Sequence, residues 1–145
     1  MQEMIFLVFI ARFLIVIPLI ISGIYLILKK DKITFLKTGL AVIVINVLSE
    51  VFKFLIPLQR PFVGQTANPG IWVPFGYGSF FSAHTGTLFV LGTLFWKKNK
   101  KIALTLFIFG LIIGALRVII KVHYPVDIIG GAIIGILVGL IVTKF

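Results

Sequence analysis

Residues 4 to 28 carry a single charged side chain, Arg12, and a run that apolar is long enough to cross a bilayer with some tilt. Inside hydrocarbon every backbone N–H and C=O must be paired within the protein, so a run of this length has to be a helix. The pattern recurs over 33–56, 82–96, 102–120 and 125–143. Hydrophobic residues make up 60% of the chain and the mean hydropathy is +1.20, far beyond a soluble domain of 145 residues. The expected fold is all-α, a polytopic membrane helix bundle of about five transmembrane helices in a single membrane-embedded domain spanning 1–145. The first run exceeds the core of a signal peptide and lacks a small-residue cleavage site followed by a soluble domain, so it is read as a retained helix.

Fourteen Lys and Arg against four Asp and Glu give a net charge of +10. Nucleic acid is not the expected partner, because most lysines fall in short loops between spans: Lys29, Lys30 and Lys32, then Lys97, Lys98, Lys100 and Lys101. With the C-terminal Lys144 they mark one side of the membrane, which the positive-inside rule makes cytoplasmic. The N-terminus is then expected outside and the C-terminus inside. The absence of cysteine excludes disulfides, thiolate catalysis and thiolate metal sites.

Charges within spans are costly and call for partners. Arg12 and Glu50 lie at similar depth and are expected to pair, directly or through one intermediary. Glu50 and Lys53, three apart on one helix face, could equally form a local ion pair. Pro57 and Pro61 end that helix and let Arg60 turn back toward Lys53, and two cations converging at a membrane surface suit a phosphate. Residues 57–81 are the longest non-helical stretch; Trp72, Phe75, Tyr77 and Phe80 fit either a lipid-facing lid or plain interfacial anchoring. Ser82 is a good N-cap for the third span, where free N–H groups can bind phosphate. His84 follows in the first turn, structural or chemical.

The stretch Arg117 to Asp127, RVIIKVHYPVD, sets a cation, an imidazole and a carboxylate at the edge of an apolar segment. Pro125 suits the first turn of a helix, and Asp127, four residues after His123, can accept the ring's Nδ1 proton and leave Nε2 bare as a nucleophile or base. Taken alone, these residues could also just cap a helix while Arg117 snorkels to the interface. Gly110 and Gly114, then Gly131, Gly135 and Gly139, recur every four residues and read as close helix packing without chemistry. Five spans bring the loops after the second and fourth to one outer face. Lys53, Arg60, Ser82, His84, Arg117, His123 and Asp127 therefore converge there.

These residues resemble the type 2 phosphatidic acid phosphatase family, membrane lipid phosphatases that share a fold and pocket with vanadium haloperoxidases. Its K-x6-R-P is matched by Lys53, Arg60 and Pro61; its P-S-G-H by Phe81, Ser82, Ala83 and His84; its S-R-x5-H-x3-D by Leu116, Arg117, His123 and Asp127. Phe81, Ala83 and Leu116 depart from the pattern. Alanine takes helical angles at little cost but would be strained at positive φ, and leucine removes a hydroxyl that could bond phosphate. Family members typically have six spans, against five here.

The resemblance implies that His123 attacks phosphorus, Asp127 fixes its tautomer, and His84 protonates the leaving oxygen and then activates water. Lys53, Arg60 and Arg117, with the backbone around Ser82 and Ala83, would hold the phosphate oxygens. No cofactor or metal is expected, since the cations can neutralise a phosphate and the sequence has no acidic cluster for magnesium. The implied substrate is a membrane lipid phosphate or diphosphate at the outer leaflet of a bacterial inner membrane: undecaprenyl diphosphate, phosphatidylglycerophosphate or the 1-phosphate of lipid A. A non-enzymatic anion carrier or lipid-phosphate binding protein would use the same cations but would tolerate loss of His123.

Overall fold

The computed structural model describes residues 2–62 and 78–145, and the described residues form six helices: α1 (Gln2–Phe13), α2 (Val16–Leu28), α3 (Lys32–Leu55), α4 (Ala83–Phe95), α5 (Lys100–Ile119) and α6 (Pro125–Lys144). Among the described residues four apolar stretches are long enough to cross a membrane: Phe9–Leu28, Lys32–Leu55, Lys100–Ile119 and Pro125–Lys144. The first run, expected as one helix, is broken at Leu14 and Ile15. Pro18 is the cause, having no N–H to offer the carbonyl of Leu14 and a ring that crowds it. The backbone ladder therefore stops at Leu14 N–H to Ile10 C=O, 2.9 Å, and resumes with Leu19 N–H to Ile15 C=O, 3.3 Å.

The third expected span, α4, has only 13 residues, roughly 20 Å of helix. Every residue from Thr85 to Phe95 is buried. An all-round apolar helix of this kind belongs at the centre of a bundle, and here α3, α5 and α6 surround it. The glycines of α6 set the closest approach: an added Cβ would lie 2.6 Å from the Ser82 carbonyl at Gly131, 2.5 Å from the Gly86 carbonyl at Gly135, and 2.6 Å from Thr93 Cβ at Gly139. The repeat thus serves a helix–helix contact, as expected, and its partner is α4.

Two helix ends close in the same way. Lys121, at φ 57°, follows α5; its N–H bonds Val118 C=O at 2.9 Å and the Val122 N–H bonds Arg117 C=O at 3.0 Å. Lys30, at φ 54°, repeats this after α2. Both are left-handed caps that satisfy terminal carbonyls and turn the chain sharply.

Asp31 then caps α3, accepting the Thr34 N–H at 3.0 Å, while Lys98 from the loop after α4 bonds its other oxygen. That lysine contact, with the Thr34 bond, holds the Asp31 carboxyl down to about 2. The two basic loops are therefore joined at one end of the bundle. At the other end the long connection leaves α3 and returns through a neck, where Gln59 bridges Gly78 and the Ser79 N–H bonds Leu58 C=O at 2.9 Å. Gly78 lies so close to α3 that a Cβ would stand 2.6 Å from the Lys53 carbonyl. Trp72, Phe75 and Tyr77 lie outside the described residues. Phe80 turns inward onto Phe52 and Phe81.

Candidate active site

The turn between α5 and α6 builds the first half of the site. Pro125 occupies the first turn of α6, and the Asp127 side chain folds back so that Oδ2 accepts the Tyr124 N–H at 2.9 Å. The same oxygen stands 3.1 Å from Nδ1 of His123. A carboxylate can only accept, so the ring proton sits on Nδ1 and Nε2 is left bare on the opposite edge. His123 is 3% exposed and Asp127 0%. Burial pushes the His123 pKa down to about 4; Asp127 opposes this, and Arg117 and Arg60 reinforce it. The ring is neutral at neutral pH, the form a nucleophile needs.

The second half comes from α3, its following loop and the start of α4. Lys53 bonds Glu50 at 2.5 Å within α3. Arg60 is buried at 6% exposure and donates from Nη1 to the Val122 carbonyl at 3.1 Å, so the loop after α3 is tied to the turn that carries His123. Burial lowers the Arg60 pKa while Asp127 and Glu50 pull it back up. The Nε–H groups of Arg60 and of Arg117 are buried and make no hydrogen bond among the described residues. Desolvated guanidinium donors of this kind have the fork geometry that receives a phosphate.

Ser82 and Ala83 open α4, with His84 in its first turn. The bundle brings His84 into electrostatic range of His123, Arg117 and Lys53. Every residue expected in the site is thereby gathered at one end of the bundle, opposite the loops joined by Asp31 and Lys98.

One expectation needs correction. The Ser82 N–H is already committed to the Asp127 carbonyl at 3.0 Å, and its hydroxyl accepts from Thr85 at 3.3 Å, so Ser82 primarily locks α4 to α6. The first-turn N–H groups of Ala83, His84 and Thr85, which have no intrahelical acceptor, are the backbone donors left for an anion. Ala83 has no positive φ, so alanine replaces glycine here without strain. Leu116 packs with Ala11, Ile120 and Val122, which puts an α1 contact where the family motif has a hydroxyl.

The direct pairing of Arg12 with Glu50 is not made among the described residues, where Glu50 is held by Lys53. Arg12 belongs instead to the site. Its charge lies in range of Arg117, and Arg117 itself donates from Nη1 to the neighbouring Ala11 carbonyl at 3.5 Å. Spacing along the sequence gave no sign of this, although Pro18, which breaks the helix just beyond, was a readable signal. Among the described residues no three His, Cys, Asp or Glu side chains gather as a metal site.

The chain matches known proteins in both sequence and fold. The PAP2 superfamily pattern matches residues 34–145. Undecaprenyl-diphosphatase BcrC of Bacillus subtilis (strain 168) is 35% identical over 109 residues, 74% of this chain and 54% of that protein, so the chain aligns with about half the length of this relative. The crystal structure of Aquifex aeolicus LpxE superposes with a TM-score of 0.75 at 27% identity, covering 99% of this chain and 87% of that one.

Proposed function

Because the chain belongs to the PAP2 superfamily, we propose that it is a metal-independent phosphatase that removes a phosphate from a membrane lipid phosphate or diphosphate through a phosphohistidine. The observation that carries this reading is the buried His123–Asp127 pair set beside two guanidinium groups with buried, unbonded Nε–H donors. His123 Nε2 attacks phosphorus, forming a P–N bond as the P–O bond to the lipid breaks, and the electron pair leaves with the lipid oxygen. Lys53, Arg60, Arg117 and the first-turn N–H groups of α4 neutralise the equatorial oxygens. His84 gives a proton to the leaving oxygen, then takes one from the water that cleaves the P–N bond. Asp127 stabilises the positive ring between the two steps.

The site sits at the end of the bundle away from the lysine loops, so the positive-inside rule puts it at the outer face of the membrane. The similarity to an undecaprenyl-diphosphatase favours a lipid diphosphate among the candidate substrates. The test is phosphate release from purified lipid phosphates and diphosphates by wild type and His123→Ala, each in excess chelator. Turnover by the wild type alone is expected. Strict dependence on added divalent metal, or equal activity of both proteins, overturns the reading. Saturable lipid-phosphate binding without release by either protein would make it a carrier.

A further inference from the structure

The candidate active site uses Lys53, Arg60 and Arg117, but not the lysines gathered at the other end of the bundle. There the two short basic loops and Lys144 share a single acidic side chain, Asp31. Asp31 is already committed: it accepts the Thr34 N–H at 3.0 Å and pairs with Lys98 at 2.5 Å. Lys30 and Lys32, on either side of it in the chain, are exposed and make no ion pair among the described residues. One apolar stretch, Phe9–Leu28, ends just before Lys30, and Lys32 opens the next, so both cations lie at the level of the lipid headgroups.

These two lysines line a cleft of about 420 Å³ between the end of α2 and the start of α3. Small-molecule sites typically measure roughly 300–1,000 Å³. Its apolar walls are Leu26 and Ile27 from α2 and Phe35 and Leu36 from α3, and all but Leu26 are exposed. The left-handed turn at Lys30 bonds its own N–H to the Ile27 carbonyl at 2.9 Å and the Asp31 N–H to the Leu26 carbonyl at 3.0 Å, which sets the cations directly over these walls. Clefts of about 290 and 230 Å³ elsewhere in the bundle are lined by one lysine each, Lys97 and Lys101. The α2–α3 cleft is thus both the roomiest of the three and the most basic. It is also amphipathic along the membrane normal, with charge at headgroup level and hydrocarbon about one helical turn below. A soluble acidic partner would match the lysines and leave the walls unused, and a second copy of this chain would bring like charges to them. A phospholipid satisfies both halves.

We propose that the α2–α3 cleft is a binding site for an anionic phospholipid, its phosphodiester held by Lys30 and Lys32 and one acyl chain lying along Ile27, Phe35 and Leu36. By the positive-inside rule this lipid belongs to the cytoplasmic leaflet, at the opposite end of the bundle from His123. A zwitterionic lipid carries a cation of its own toward the lysines and loses the net attraction. The lipid is a ligand rather than a substrate, since a phosphodiester headgroup has no terminal phosphate to give up. Leu26, on the cleft wall, also packs in the core with Leu88, Leu91 and Phe95 of α4, so filling the cleft ties the α2–α3 turn to the central helix and stabilises the fold.

The test titrates the whole chain in detergent with phosphatidylglycerol or phosphatidylcholine, counting bound lipid by native mass spectrometry and following the unfolding temperature. The wild type should bind phosphatidylglycerol on the order of 10-fold more tightly than phosphatidylcholine, and only the former should raise the unfolding temperature. Each lysine near the surface is worth about fivefold, so the double variant Lys30→Gln, Lys32→Gln should lose most of this preference. Lys100→Gln with Lys144→Gln removes the same charge from the same end but outside the cleft, and should keep it. Leu36→Trp retains both lysines and fills the cleft; it should weaken phosphatidylglycerol binding at least about threefold, a check that holds even if the double variant does not fold. Equal binding of the two lipids by the wild type, equal losses in the two lysine pairs, or undiminished binding by Leu36→Trp overturns the proposal. The same stabilisation by inorganic phosphate would mean a site for a free anion and overturns it too.

Discussion

Nδ1 of His123 lies 3.1 Å from Oδ2 of Asp127, and the two side chains are 3% and 0% exposed. Oδ2 also accepts the Tyr124 N–H, while Oδ1 is buried with no partner among the described residues. Asp127→Asn can keep its carbonyl oxygen on the ring and on Tyr124, and so hold the tautomer. It then buries an unpaired NH2 and loses the charge that stabilises a cationic ring. We expect kcat to fall on the order of 10²- to 10⁴-fold, with a stability loss of about 1–3 kcal/mol. Phosphate release and thermal unfolding of the purified variant check the two effects separately.

The buried His123 ring should resist protonation. Its pKa is pushed down to about 4 against an ordinary 6.5. The unfolded chain takes up its proton first as pH falls, so this group's share of stability is full above about 6.5, declines through the interval and is gone below about 4. Side-chain NMR of the ligand-free protein should find Nε2 of His123 still unprotonated at about pH 5. A midpoint near 6.5 would mean that the ring is not desolvated.

The glycine stripe of α6 should matter for activity as well as stability. In Gly131→Ala the new methyl stands 2.6 Å from the Ser82 carbonyl, so α6 must move off α4 and strain the Ser82 N–H bond to the Asp127 carbonyl. Overpacking of this kind costs about 1–3 kcal/mol. Gly39, with nothing within 4 Å, is the control: Gly39→Ala should be neutral or stabilising by up to about 1 kcal/mol. Denaturation of both variants alongside phosphate release checks the contrast.

Arg60 should not be replaceable by lysine. Its Nη1 already holds the Val122 carbonyl at 3.1 Å, and its Nε–H, buried with no hydrogen bond among the described residues, can meet a phosphate at the same time. A single ammonium cannot span both. Arg60→Lys should lower kcat/KM at least about 10-fold and also lower the unfolding temperature, because the loop after α3 loses its tie to the His123 turn. Retention of both properties would show that the Val122 contact is dispensable.

Much of this site is legible in the sequence because its chemistry is local. His123, Pro125 and Asp127 lie within one turn of a helix start, so spacing alone sets the hydrogen bond, and the lysine loops sort the spans to two faces. What spacing does not carry is contact between distant elements. The Arg60 bond to Val122 joins residues 62 apart in sequence. Ser82 reads as an anion-binding N-cap until the glycines of α6 bring the Asp127 carbonyl onto its N–H. Arg12 and Glu50 share a depth, which suggested a pair, but depth says nothing of rotation about the helix axis. Glu50 finds Lys53 one turn away, and at the end of α1 it is the Ala11 carbonyl, next to Arg12, that meets Arg117.

The two histidines must fail differently if their roles are as derived, and rapid-quench labelling with a lipid diphosphate carrying radioactive terminal phosphate reads this directly. His123→Ala should form no labelled protein. In His84→Ala attack can still occur, since a departing phosphate needs little protonation, but the water that breaks the P–N bond has lost its base. That variant should accumulate an acid-labile, base-stable phosphohistidine whose hydrolysis limits turnover. Label retained in His123→Ala, or no label in either variant while the wild type is transiently labelled, would contradict the assignment of His123 as nucleophile and His84 as its acid and base.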